Sequence, residues 1–164
     1  MRKEHKAAGD TWSNTIVTST MTKEGLKIKI EPALYKFSQS SLSKLKTCEQ
    51  PLQDLFNEVI KGFDCTIICG TRDEADQNEA FEKGYSKLKY PMSKHNIFPS
   101  KAVDATPYPI DWKDAARQYF FAGYVKGIAD KMGINIRLGA DWDGDMQVKD
   151  QTFLDLCHFE LKEN

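Results

Sequence analysis

Two short motifs carry the residues best suited to chemistry in this chain. Ser93-Lys94-His95 is followed by Ala102-Val103-Asp104, and further on comes Asp155-Leu156-Cys157-His158-Phe159-Glu160. The sequence holds three histidines, and the third, His5, lies in a polar N-terminal stretch. Two His and one Asp are ligand types that zinc takes, and three protein ligands leave a position open for water. Asp155, three residues before one of those histidines, supplies a carboxylate for general-base work. Together these residue types describe a metallohydrolase.

Each motif also has a plainer reading. His95 and Asp104 are nine residues apart, so the intervening chain must loop back before both can point into one cavity. Asp104 lies in an apolar setting, between Val103 and Ala105. A buried carboxylate there needs a metal, a cation or several donors. The alternative is a surface-loop histidine and a turn-forming Asp. On a strand, His158 and Glu160 share a face, whereas Asp155 joins them only if the chain bends before His158. The alternative is a satisfied core histidine. Two His–carboxylate motifs in a chain with three histidines favour the chemical reading.

The elements that must position these motifs follow from periodicity. Thr15–Thr18 and Leu26–Ile30 read as short strands. Residues 38–60 read as helical, capped by Ser41, with Leu42, Leu45, Leu52, Leu55, Phe56 and Val59 on one apolar face and Pro51 dividing the segment. Phe63–Cys69 suits a buried strand ending at Gly70, and Asp73–Lys87 a helix. Lys89–Ser100 is a loop, and Ala102–Thr106 is extended because Pro107 and Pro109 preclude a helix. Trp112–Met132 is the strongest helix. Its stripe reads as Ala115, Ala116, Tyr119, Phe120, Gly123, Tyr124, Gly127 and Ile128, and Gly133 ends it. Ile134–Leu138 alternates as a strand, residues 139–151 form a polar loop, and Phe153–Leu161 is partly strand. The mixed order predicts an α+β fold, a small antiparallel sheet with flanking helices. Residues 1–36 read as an N-terminal extension, and residues 37–164 as the functional domain.

Composition narrows the function classes. At 164 residues with 40% hydrophobic content, one packed domain is the simplest organisation. A net charge of -1 gives no overall pull toward nucleic acid or anionic lipid, so neither partner is expected. The basic stretch Met1–Lys6 is not followed by the roughly 7–15 apolar residues of a secretory signal. No run approaches the ~18 apolar residues of a membrane span. A cytoplasmic setting follows, with Cys48, Cys65, Cys69 and Cys157 as free thiols. Cys65 and Cys69 read as core packing, since no second closely spaced pair would complete a zinc site. Asp141-Trp142-Asp143-Gly144-Asp145 lacks the glycine position of an EF-hand and reads as a solvated turn, with Trp142 on a rim.

The two motifs resemble those of the zinc D-Ala-D-Ala carboxypeptidase/L-alanyl-D-glutamate peptidase family of phage endolysins, which has the Hedgehog/DD-peptidase fold. The resemblance covers residues 37–161. It includes Gly70-Thr71-Arg72 with Gln77 five residues after the Arg, and the stretch from Ala102 to Trp112. It implies that His95, Asp104 and His158 bind Zn2+ and that Asp155 is the catalytic carboxylate. Arg72 would be an electrophilic or substrate-orienting group, and Ser93, Gln77 and Glu160 would support the pocket. The implied activity is hydrolysis of the L-Ala–D-Glu bond of peptidoglycan stem peptides by a monomeric endolysin. It would be made in the host cytoplasm and would reach the wall after membrane permeabilisation. A D-Ala-D-Ala carboxypeptidase or dipeptidase, and a non-catalytic metal-containing wall-binding protein, are the alternatives. The chain departs from the commoner pattern in a longer gap between His95 and Asp104 and in having Cys157, read more readily as a neighbour of the metal than as a ligand.

Overall fold

A computed structural model describes the strands at residues 15–22 and 25–32 and the chain over residues 35–162. It divides into two units, Met1–Leu34 and Tyr35–Asn164. In the first, β1 (Thr15–Thr22) and β2 (Gly25–Pro32) pair antiparallel, with Thr22 opposite Gly25. His5 and the basic stretch Met1–Lys6 lie outside the described residues.

The second unit begins with two helices. The cap of α1 (Gln39–Leu45) is Ser38, not Ser41: its Oγ accepts from the Ser41 N–H at 3.1 Å. The Ser41 hydroxyl is buried and engaged elsewhere, accepting from the Ile67 N–H at 3.2 Å and meeting Thr66 Oγ1 at 3.0 Å. Pro51 starts α2 (Gln50–Gly62), where a missing N–H costs nothing. The expected apolar face of Leu52, Leu55, Phe56 and Val59 is fully buried. After β3 (Cys65–Cys69) comes α3 (Glu74–Glu82), whose first turn is capped by Asp73. It is shorter than its sequence suggests because Gly84 adopts φ +76°, a left-handed stop.

The helix α4 (Ala115–Met132) starts at its cap Asp114 and ends at Gly133, with φ +70°. Its buried positions are Gln118, Phe121, Ala122, Val125 and Ala129, so the expected stripe is rotated by about one residue. Phe120 is 66% exposed. The small side chains Ala122 and Ala129 let the helix approach the sheet around Phe121 and Val125. Tyr119, Tyr124 and Ile128 pack at the margin of the core.

With β4 (Ala102–Pro107), β5 (Ile136–Leu138) and β6 (His158–Leu161), β3 builds a four-stranded antiparallel sheet in the order β3-β4-β6-β5. The α+β class expected from the sequence is the class observed. Strand alternation divides this sheet's two faces between stability and chemistry. On one face Val103 and Phe159 are opposite each other and fully buried. The Phe159 ring meets Phe56 of α2 at 5.4 Å and Phe121 of α4 at 5.9 Å, both edge-on. On the other face Asp104 is opposite His158, and Ala102 is opposite Glu160. Phe159 therefore anchors to the core the strand that carries both polar residues. Phe159→Ala is expected to lower unfolding free energy by about 3–5 kcal/mol in denaturant titrations, and a loss below about 1 kcal/mol would contradict this packing.

Candidate metal centre

Residues far apart in sequence meet through strand register and one short turn. Asp104 and His158 are direct cross-strand partners, which brings neighbouring side chains on one face within reach. His95 arrives on the 3-10 turn Lys94–Asn96. That turn is locked by a reciprocal cap: Ser93 Oγ accepts from the His95 N–H at 3.3 Å, and the Ser93 N–H donates to Asn96 Oδ1 at 3.0 Å. The three side chains form a near-equilateral triangle of ligand atoms. His95 Nε2 lies 3.2 Å from Asp104 Oδ1 and 3.2 Å from His158 Nδ1, and the third side, His158 Nδ1 to Asp104 Oδ1, is 3.1 Å.

The remaining ring nitrogens fix which atoms face inward. His95 Nδ1 donates to the Gly70 carbonyl at 2.6 Å, and His158 Nε2 donates to Glu160 Oε2 at 3.2 Å. A carbonyl and a carboxylate only accept, so these nitrogens carry the protons. In the neutral rings, His95 Nε2 and His158 Nδ1 then present lone pairs to each other and to a carboxylate oxygen. Such a set calls for a cation at its centre. Bonds of about 2 Å to tetrahedral ligands place ligand atoms roughly 3.3 Å apart, close to the observed spacing. The residues present therefore fit a divalent metal, with Gly70 and Glu160 as the outer partners that orient its histidines. Gly70 is required by packing: a Cβ there would overlap Thr47 Oγ1 and the Lys44 carbonyl.

Charge is concentrated here. Burial disfavours the Asp104 carboxylate, but His95 and His158 overcome it and hold the group below the ordinary carboxylate range. Arg72 Nη2 donates to the other oxygen, Oδ2, at 2.9 Å. Burial also opposes a charged His95, yet the Asp104 charge and hydrogen bond push the ring up to about 10. A metal must therefore compete with a proton for this triangle. Glu160 is lowered to about 2: burial raises it, and His158, Arg137 and Lys94 outweigh burial. Arg137 Nε donates to Glu160 Oε1 at 2.6 Å, and Lys94 Nζ lies 3.5 Å from the same oxygen.

The structure brings every sequence-predicted site residue to one region. Asp155 precedes β6 in a turn closed by His158 N–H donating to the Asp155 carbonyl at 3.0 Å. This is the bend it needed in order to join His158, and its carboxylate oxygen lies within 4.8 Å of ligand atoms of both Asp104 and His158. Burial, then Asp104, raises Asp155 above the ordinary carboxylate range. Gln77 is fully buried and accepts from Arg72 Nη1 at 3.2 Å, while its Nε2 donates to Ser86 Oγ at 2.9 Å. Cys69, expected in the core beside Cys65, instead turns its Sγ toward His95 and Asp104, within 4.8 Å of their donor atoms. A β-bulge between Ile67 and Cys69 shifts the pairing there, so that Cys69 is opposite Asp104. A cleft of about 440 Å³ opens over the triangle, with Arg72, Lys87, Lys94, Arg137, Trp142 and Asp155 among its walls.

A model of the phage L-alanyl-D-glutamate peptidase family matches residues 33–162. The chain belongs to this family. It is 32% identical over 136 residues to the L-alanyl-D-glutamate peptidase of Escherichia phage T5, an alignment covering 77% of this chain and 98% of that one. It also shares its fold with the L-Ala D-Glu endopeptidase ChiX of Serratia marcescens, with a TM-score of 0.59 and 20% identity over 77% of this chain and 90% of that one.

In this phage peptidase, sequence reasoning missed several supports. Asn96 had a signal, since it stands three residues after Ser93 as a capping box requires. Arg137 had none: it reaches Glu160 only through their cross-strand register. Gly139 likewise is a lone glycine in sequence, yet a Cβ there would overlap the Asp155 carbonyl oxygen. Its N–H donates to the His158 carbonyl at 2.9 Å, and its carbonyl accepts from the Asp155 N–H at 3.0 Å. Trp142 lines the cleft, in keeping with its expected place on the active-site rim, and lies 5.3 Å from the His158 ring. Asp141, read as part of a solvated turn, is itself buried and accepts from the Gly144 and Met146 N–H groups.

Two measurements test this centre. Glu160→Gln is expected to weaken divalent-metal affinity about 10–100-fold in competition with a chromogenic chelator, and unchanged affinity would remove Glu160 from the site. Metal uptake at pH 7 is expected to release at least one proton, because Asp104 raises His95 to about 10 and also holds His158 above the ordinary imidazole range. Affinity should rise with pH across that range. Calorimetry in buffers of different ionisation enthalpy checks this, and zero release would contradict it.

Proposed function

We propose that this phage peptidase is a zinc-dependent endolysin that hydrolyses the L-Ala–D-Glu bond of peptidoglycan stem peptides. The observation that carries the reading is the triangle His95 Nε2, Asp104 Oδ1 and His158 Nδ1, with sides of 3.1–3.2 Å and an ionisable carboxylate, Asp155, beside it. Zinc suits two imidazoles and one carboxylate with an open position, and it supplies Lewis-acid chemistry that brings the pKa of a water to about 7.

The chain's own residues divide the remaining work. Asp155 takes the proton as the water oxygen bonds to the alanyl carbonyl carbon, and it delivers that proton to the D-Glu nitrogen as the C–N bond breaks. Its raised pKa suits a group that must both accept and return a proton. Arg72 holds Asp104 through Oδ2 and lies on the cleft wall, where its guanidinium orients substrate oxygens. Gln77 and Ser93 keep Arg72 and His95 in place. Stem peptides carry carboxylates, and Lys87 on the cleft wall, with the cations Arg72, Lys94 and Arg137 that flank the buried carboxylates, offers them partners. Among the described residues no helix is long and apolar enough to cross a membrane. As an endolysin it would reach the wall after permeabilisation of the host membrane.

The test is mass spectrometry of meso-diaminopimelate peptidoglycan digested with and without a chelator. Chelator-sensitive release of peptides beginning at D-Glu is the expected result. Loss of terminal D-Ala alone would move the bond, and an unchanged wall at full metal occupancy would overturn the hydrolase reading. Asp155→Asn is expected to lose about 10²–10⁴-fold in kcat while retaining its metal.

A further inference from the structure

We infer that the thiol of Cys157 is a positioning group for Asp155, so that a cysteine next to a metal ligand serves the reaction without touching the metal. The inference rests on the reading of Asp155 as the proton-transfer group. The Asp155 backbone is clamped by Gly139 and by the turn into His158, which leaves rotation of its side chain as the remaining freedom. Cys157 Sγ lies 3.2 Å from Asp155 Oδ1, with the geometry of an S–H donor. Among the described residues no other group donates a hydrogen bond to that carboxylate, so this is the hydrogen bond that holds its orientation. It occupies Oδ1 and leaves Oδ2 without a protein donor.

Ligation is the other role this position suggests, and the placement argues against it. The described donor atoms that converge around Asp104 come from Cys69, His95, Asp155 and His158, and Cys157 is not among them. Its carbonyl accepts from the Ala105 N–H at 2.8 Å, which ties the residue to β4 while His158 begins the next strand. The side chain thus reaches back to Asp155 while the following residue faces the triangle.

The experiment compares Cys157→Ala and Cys157→Ser in the full-length, metal-loaded protein, with kcat and KM on a soluble stem peptide and metal content measured for each. Removing the donor is expected to lower kcat about tenfold, with KM and bound metal unchanged, as for a hydrogen bond to a charged group. Cys157→Ser keeps a donor at the same place and is expected to stay within about threefold of the parent. In an Asp155→Asn background the Ala substitution should have no further effect on the residual rate. Parental kcat in Cys157→Ala, or loss of metal in both variants, would overturn the inference. Full activity in Asp155→Asn would instead overturn the role of Asp155, which keeps the two failures distinct.

Discussion

Asp104 is the charge around which this domain is organised. A carboxylate that is buried on a central strand is costly unless its surroundings answer it. Here Oδ1 faces two histidines at 3.1–3.2 Å and Oδ2 takes Arg72 at 2.9 Å. Each partner comes from a different element and must itself be held. Arg72 follows β3 and leans on Gln77 of α3, His95 hangs from the Gly70 carbonyl, and His158 leans on Glu160. The charges alternate outward, from carboxylate to imidazole to Glu160 to Arg137 and Lys94. Along this chain of contacts each charge meets an opposite one; Asp155 is the exception, a carboxylate beside Asp104 that is raised by it.

The sheet makes this arrangement compatible with a stable core. Alternation along β4 and β6 sends Val103 and Phe159 into the packing with α2 and α4 while Asp104, His158 and Glu160 face the cleft. A one-residue slip between these strands would exchange the two sets, burying the charges in the core and exposing Phe159. Hydrophobic burial on one face therefore enforces the register that assembles the polar side chains on the other. Close backbone approach adds to this: a Cβ at Gly70, whose carbonyl holds His95, would collide with Thr47 and Lys44, and one at Gly139 would collide with Asp155.

Much of this was legible in the sequence because it depends on residue type and short spacing. The His158–Glu160 spacing shows its meaning once strand periodicity is applied, whereas Asp155 arrives through a turn before β6. The presence of α2 follows from its apolar face, and the end of α4 from Gly133. The parts that were not legible depend on contacts across the fold. Ser38 caps α1 because Ser41 is drawn to β3, and α4 buries Phe121 rather than Phe120 because the small residues Ala122 and Ala129, not aromatic content, set its approach to the sheet. Arg137 and Gly139 are anonymous in sequence, since their roles arise from pairing with β6 and from proximity to Asp155. Cys69 was assigned to the core because a β-bulge, which no local pattern announced, changes the residue it faces.

The elements that hold the triangle and those that shape the cleft differ in kind. His95, Asp104 and His158 sit on two central strands and a doubly capped turn, where hydrogen-bonded backbone limits movement. The cleft walls that carry Lys87, Met92 and Trp142 come from loops between α3 and the His95 turn and between β5 and β6. Loops accept changes of length and side chain with little effect on the scaffold that positions them. The nine residues from His95 to Asp104 are closed by Ser100, its N–H donating to the Thr47 carbonyl and its Oγ to the Ala102 carbonyl, and the two side chains converge. The cleft walls can thus vary in the loops while the geometry of the His95–Asp104–His158 triangle remains a property of the sheet and its capped turn.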